Sequence, residues 1–174
     1  QGLELVDTYR TSDEFWVYWR LSKEIHEKLI EQQAETAKRL FLDELSLSKL
    51  HVVERLRTLV QALEALLSAH GKEVNVERDG ETYFVNIEVP QRIEEIMANI
   101  ETRAINTEQQ ARYGEPMDAP LRFAITYEAQ ISLPLKGVPV QFEFIEGNGK
   151  FISQNRTTDR RGECETEVTE ITSS

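Results

Sequence analysis

The sequence predicts an α+β fold, and three observations carry that expectation. The hydrophobic period changes from two to between three and four at Ser22, it returns to two after Gly71, and the last third alternates apolar and polar side chains cleanly. Period two is the repeat of a half-buried strand and period 3.6 that of an amphipathic helix, so the order reads strands, helices, then strands again.

LELVDTY and EFWVYWR read as two strands around a polar link, Arg10-Thr11-Ser12-Asp13, which suits a hairpin. In the second strand Phe15, Val17 and Trp19 share one face, and Trp16 and Tyr18 the other. Bulk on both faces predicts a strand covered on both sides, with core packing for three of the four aromatic residues. Trp16 and Tyr18 are the residues to expect on a partner surface.

A helix is expected from about Ser22 to Asp43, with Ser22 as N-cap and Ile25, Leu29, Ala37, Leu40 and Phe41 as its apolar stripe. A second helix carries Leu50, Val53, Leu56, Val60, Leu63 and Leu67, with His70 in its last turn and Gly71 after it as the residue able to take positive φ. The link around Leu45–Ser48 is short, which predicts an antiparallel pair of about six turns each. VNVERDGETYFVNIEV reads as a hairpin turning at Asp79-Gly80, with Tyr83, Val85 and Ile87 alternating after it. Pro90 suits a first helical position, and Ile93, Ile96, Met97 and Ile100 mark a short amphipathic helix, with a further strand over TRAIN.

Residues 1–105 are thus expected as one α+β domain with a helical hairpin. The polar stretch 106–120, with Gly114, Pro116 and Pro120, is the expected linker, and 121–174 the expected β-domain. In that last part Leu121, Phe123, Ile125 and Tyr127 alternate, as do Val138, Val140, Phe142 and Phe144. Cys164, Thr166 and Val168 should face a core while Glu163, Glu165 and Glu167 face water, and Arg160-Arg161-Gly162 should turn. Gly147-Asn148-Gly149 reads as another turn.

The totals exclude several functions. With 20 Lys plus Arg against 31 Asp plus Glu in 174 residues, the formal charge is −11, which repels nucleic acid and anionic lipid alike. Arg160 and Arg161 are flanked by Asp159 and Glu163, so they make no basic patch in the sequence. A single cysteine allows no internal disulfide, and no apolar run is long enough to span a membrane. The immediate start of a strand at Leu3 leads us to expect a fragment of a longer chain.

His26, His51 and His70 lie about 20 residues or more apart, and His26 could approach His51 across the helix pair to hold a metal; the simpler expectation is three surface or boundary histidines. Cys164 could serve as a nucleophile, but Glu163 and Glu165 beside it would raise its pKa, and the expectation is a buried structural thiol. Asp159, Glu163, Glu165, Glu167 and Glu170 could suggest calcium. Alternate carboxylates on a strand are about 7 Å apart, however, so a solvated face is expected instead. No phosphate loop, dinucleotide fingerprint or nucleophile elbow occurs, and no cofactor is expected.

Two resemblances add to this reading. Pro134, Leu135, Gly137, Val138, Pro139, Val140 and Phe142, followed by Thr157, Thr158, Asp159 and Gly162, resemble the bacterial Ig-like domains of the invasin and intimin kind. That likeness implies turns and core positions of a sandwich, here a truncated one or one completed on other strands. Trp16, Val17, Tyr18 and the run Arg20-Leu21-Ser22-Lys23 resemble a family of bacterial envelope lipoproteins that includes a periplasmic flagellar-assembly protein. It implies a periplasmic or outer-membrane-associated location and a binding or assembly role.

The expectation is therefore a non-enzymatic envelope module that binds a protein or another envelope component, with self-association open to it through helix faces or sheet edges. The alternatives are a metal-dependent or hydrolytic enzyme with a site between helices and sheet, and a purely structural connector.

Overall fold

The computed structural model describes residues 3–106 and 109–173. The fold is α+β, with three helices and antiparallel sheets among the described residues. The chain divides into two compact units. One holds the residues up to Ser46 together with Thr58–Arg92; the other holds Leu47–Arg57 with the residues from Ile93 onward.

The first unit opens with β1 (Leu3–Arg10) and β2 (Phe15–Leu21), paired antiparallel from Arg10↔Phe15 to Leu3↔Leu21. Thr11 makes the turn: its N–H donates to the Glu14 carbonyl, and its hydroxyl oxygen accepts from the Glu14 N–H at 2.9 Å. The register slips between Leu5 and Asp7, leaving a bulge at Val6. The expected covering of β2 is absent. Phe15 is 65% exposed, Trp16 60%, Tyr18 62% and Trp19 52%, so both faces of the hairpin meet solvent. Bulk on both faces reads as burial in a sequence, but it measures only a need for cover, which two paired strands cannot supply for themselves.

Helix α1 (Lys23–Ser46) runs three residues beyond the expected end. Ser22 caps it, its carbonyl accepting from the His26 N–H at 2.9 Å and its hydroxyl from the Ile25 N–H at 3.4 Å. Helix α2 (Val52–Ser68) is shorter than expected, and the two are unequal in length. They are antiparallel. His26 near the start of α1 lies 5.5 Å, ring to ring, from His70 just past the end of α2, and Lys72 pairs with Glu31. The buried stripes match the expected ones in part, at Ala37 and Phe41 on α1, and differ elsewhere. Ala34, Ala37 and Phe41 are buried on α1, and Val52, Leu59, Ala62, Ala65 and Leu66 on α2, whereas Leu29, Leu50, Val60 and Leu67 are exposed. Counting large side chains placed the α2 stripe one step round from the face that alanines occupy. At the end of α2 both His70 (φ 52°) and Gly71 (φ 77°) are left-handed, so the reversal takes two residues rather than the glycine alone.

Strands β3 (Asn75–Arg78) and β4 (Glu81–Phe84) form the expected hairpin, turning through Asp79 (φ 53°) and Gly80 (φ 83°). The second strand stops sooner than expected. Helix α3 (Val85–Met97) starts at once, so Val85 and Ile87 are helical and Pro90 lies inside the helix rather than at its first position. The Val85 N–H, a first-turn donor with no partner within the helix, donates to the Val74 carbonyl at 2.9 Å, and the Asn86 side chain clamps the preceding segment by accepting from the Val74 N–H and donating to the Lys72 carbonyl. With those anchors set, burial follows Val85, Val89 and Ile96 at helical spacing, and Pro90 forfeits one backbone bond early in the helix.

The most buried carboxylate of this unit is Glu44 on α1, 1% exposed. Arg92 on α3 reaches it at 3.4 Å, bonds Glu88 one turn back at 3.2 Å, and lies over the Phe41 ring at 5.4 Å from its centroid. One guanidinium thus closes over both the charge and the aromatic face beside it.

In the second unit β6 (Leu121–Glu128) is central. Strand β5 (Ile100–Ala104) pairs along one edge. Along the other, β11 (Glu163–Thr166) covers residues 121–124 and β7 (Ser132–Pro134) covers 126–128. Two further pairs complete the unit: β8 (Pro139–Gln141) with β10 (Asn155–Thr157), and β9 (Asn148–Phe151) with β12 (Val168–Ser173). Asn148 and Gly149, expected in a turn, therefore belong to a strand. Gly149 is needed there because an added Cβ would strike the Phe144 ring. Phe123, Phe142, Phe151 and Phe144 make a continuous chain of ring contacts, the last pair stacked at 4.5 Å. Within 106–120 the N–H groups of Gly114 and Met117 donate to the Ile171 and Val168 carbonyls, so this stretch lies along β12; Thr107 and Glu108 fall outside the described residues.

Two predictions follow from buried polar contacts. Arg92→Ala should lower the stability of the chain by about 2–3 kcal/mol in urea unfolding, because Glu44 loses a charge-assisted partner where water is scarce. Thr158→Val should cost about 1–3 kcal/mol while Thr158→Ser costs less, since the buried hydroxyl donates to the Leu135 carbonyl at 2.5 Å and accepts from the Val138 N–H at 2.9 Å.

Candidate functional site

The TTDRRGE stretch is positioned by backbone contacts. Asp159 accepts from the N–H groups of Arg161 at 2.8 Å and Glu163 at 3.0 Å, and its carbonyl accepts from the Gly162 N–H at 3.1 Å. Those bonds, that from Glu163 first, hold its carboxyl below the usual aspartate range. Gly162 turns with φ 72° and passes against β6; an added Cβ would meet the Ile125 carbonyl oxygen and the backbone of Pro134 and Leu135. The turn is therefore a fixed structural corner, as expected of Arg160-Arg161-Gly162.

The corner and its neighbours form an open groove of about 360 Å³ whose lining includes Arg122, Arg156, Arg161, Asp159, Glu163 and Cys164. Arg122 is brought from far along the chain to Arg156 and Arg161, which the sequence alone did not show. Their charge is largely matched on the spot. Arg122 bonds Glu163 at 3.1 Å and Glu165 at 3.2 Å, and Asp159 faces the same space.

Cys164 is buried at the base of this groove, and Thr166 and Val168 are buried with it while Glu165 and Glu167 are exposed, as the alternation predicts. Burial pushes the Cys164 thiol up, against a smaller opposite pull from Arg156. The rise therefore has another source than the flanking glutamates expected to cause it: desolvation comes first, and the carboxylate that adds to it is Asp159.

His26 does not meet His51; its ring lies beside that of His70, and both imidazoles are exposed. Among the described residues no group of three or more His, Cys, Asp or Glu side chains could hold a metal ion, and Glu165 and Glu170 are engaged with Arg122 and Lys150.

Trp16 and Tyr18 stand on the hairpin as a pair on one face of β2, with Trp16 Nε1 donating to Glu14 at 3.0 Å. Tyr9 is opposite Trp16 in register and equally open to solvent. The second face, with Phe15 and Trp19, is exposed as well, so the aromatic surface is twice what the sequence reading assigned. No helix among the described residues is long and apolar enough to cross a membrane.

A buried thiol with a raised pKa should resist a disulfide reagent. Native protein at pH 7 should react with it at least about tenfold more slowly than protein unfolded in urea; equal rates in the two states would contradict the buried placement of Cys164. No family model matches the chain, and no curated protein or solved structure matches it.

Proposed function

We propose that the chain is a non-enzymatic binding and assembly module of the bacterial cell envelope, periplasmic or associated with the outer membrane. Its β1–β2 hairpin carries the partner surface, and its C-terminal β-unit serves as an Ig-like spacer. The observation that carries this reading is the hairpin's exposure. Tyr9, Phe15, Trp16, Tyr18 and Trp19 are all more than half exposed on a two-stranded element. An isolated hairpin of this kind is marginal in water, and large aromatic side chains are the residues that dominate interfaces. The likeness of residues 16–23 to an envelope lipoprotein family supports the location.

The groove at Cys164 supports the same reading. A general base or nucleophile needs a free, suitably tuned group, whereas Glu163 and Glu165 are tied to Arg122 and the thiol is buried with its pKa raised. The Pro134–Phe142 and Thr157–Gly162 positions that resemble the Ig-like pattern act as turns, close backbone approaches and buried hydroxyls, which is scaffold work.

The double variant Trp16→Ser/Tyr18→Ser should keep the far-ultraviolet dichroism of the helices and lose most of its retention on immobilised bacterial envelope extract, by about tenfold or more. Equal retention of variant and wild type would sink the hairpin as the partner surface.

A further inference from the structure

We propose that the occupant of this surface is a second copy of the chain, joined edge to edge through β2, an inference that rests on the hairpin being a partner surface. The two outer edges of the hairpin differ. The β1 edge carries Glu4, Asp7 and Arg10 and is kinked by the bulge at Val6, devices that discourage strand addition. The β2 edge has no extra residue of its own and carries a charge only near its end, at Arg20. It pairs with β1 in unbroken register from Phe15 to Tyr18, the extra residue of the bulge lying on β1, and the five residues from Phe15 to Trp19 bear no charge, no proline and no glycine.

A twofold axis makes β2 meet its own copy antiparallel, so the residue numbers facing one another sum to a constant. Centring the pair on Val17 places Phe15 opposite Trp19 of the second copy, and Trp16 opposite Tyr18. At both ends Glu14 falls opposite Arg20 of the second copy. Aromatic faces aromatic and acid faces base, each twice. These are the pairs that stabilise an antiparallel ladder. The existing bonds permit it. Arg20 spends one terminal nitrogen on Glu4 at 2.8 Å, and Glu14 accepts from Trp16 through one carboxylate oxygen, so donors and lone pairs remain on both.

The area is sufficient for a weak dimer. Five aromatic side chains of about 200 Å² each, somewhat more than half exposed, leave roughly 600 Å² of aromatic surface on each copy. A standard interface hides about 800 Å² per partner, and edge pairing covers part of the aromatic surface plus the strand backbones. Association in the micromolar range is the consequence. The charge of −11 on each copy opposes it over distance, but at physiological salt that repulsion is screened within about 8 Å.

The chain's only two tryptophans, Trp16 and Trp19, are both on β2, so intrinsic tryptophan emission reports this strand alone. The test is sedimentation equilibrium with emission spectra on the full chain, across the micromolar range at physiological salt. The wild type is expected to dimerise, with emission shifting to the blue and acrylamide quenching falling as the dimer forms. Glu14→Arg and Arg20→Glu should each weaken self-association by about tenfold or more, because each sets like charges face to face twice. An equal mixture of the two variants should dimerise like wild type, since the mixed pair restores both ion pairs. Glu14→Arg gives up the Trp16 Nε1 bond but leaves the Glu4–Arg20 bond and the Thr11–Glu14 bonds of the turn, and recovery in the mixture separates an effect on pairing from loss of the hairpin.

A monomeric wild type overturns the proposal, as does a mixture that fails to recover. If the monomer instead floats with phosphatidylcholine vesicles and its emission shifts to the blue, a bilayer is the occupant and the dimer is wrong. If wild type stays monomeric but Trp16→Ser/Tyr18→Ser still loses retention on envelope extract, the dimer fails while the binding reading stands. If neither property depends on the hairpin, both fail.

Discussion

The backbone of Ile125 is the point on which the second unit depends. Its N–H donates to the Gly162 carbonyl at 2.8 Å, and its carbonyl accepts from the Leu135 N–H at 3.0 Å. Strands β11 and β7 share one edge of β6 only because the chain changes partner at this residue. The change is possible only if Gly162 comes close enough, with no side chain between. Thr158 then fixes the adjacent loop, bonding Leu135 and Val138 through one hydroxyl, and the Gly137 N–H donates to its carbonyl at 2.9 Å. A Thr, an Asp and a Gly within five residues thus hold strands that are distant along the chain. This is why such a motif can be specific in sequence and carry no chemistry.

The parts of the fold legible in the sequence are those decided within a few residues. Asp79-Gly80 needs two positive φ values in succession, and the alternation around Cys164 has only one face it can bury. The first-helix cap at Ser22 is of the same kind. What escaped was set by contacts far along the chain. The strand expected through Ile87 yields to a helix whose start is tied by the Asn86 side chain to Lys72 and Val74, and nothing near residue 85 announces those bonds. The alanine stripe of α2 escaped because burial there rewards small size, which a count of bulky side chains overlooks.

The site followed the same division. The aromatic bulk of Phe15, Trp16, Tyr18 and Trp19 is legible in the sequence, and the core packing expected for three of the four fails because the first unit leaves both faces of β2 open. The arginine groove was not legible at all, since Arg122, Arg156 and Arg161 come from β6, β10 and a turn. Nor was the meeting of His26 with His70, which depends on where α2 ends rather than on residue spacing.

The groove and the hairpin are opposite solutions to exposed chemistry. In the groove, charges that would otherwise be available are consumed internally: Arg122 answers two glutamates, backbone N–H groups answer Asp159, and the thiol is withdrawn from water. On the hairpin the polar groups are satisfied, with Arg20 on Glu4 and Trp16 Nε1 on Glu14, while the apolar surface is left wholly unanswered. Water tolerates satisfied ion pairs at little gain or cost, but it penalises exposed aromatic area in proportion to its extent. The free energy still to be gained by this chain is therefore concentrated on the hairpin rather than in the groove. What sets the hairpin apart is thus wet aromatic area beside side chains whose polar groups already have partners, a reserve that only cover by another surface would draw on.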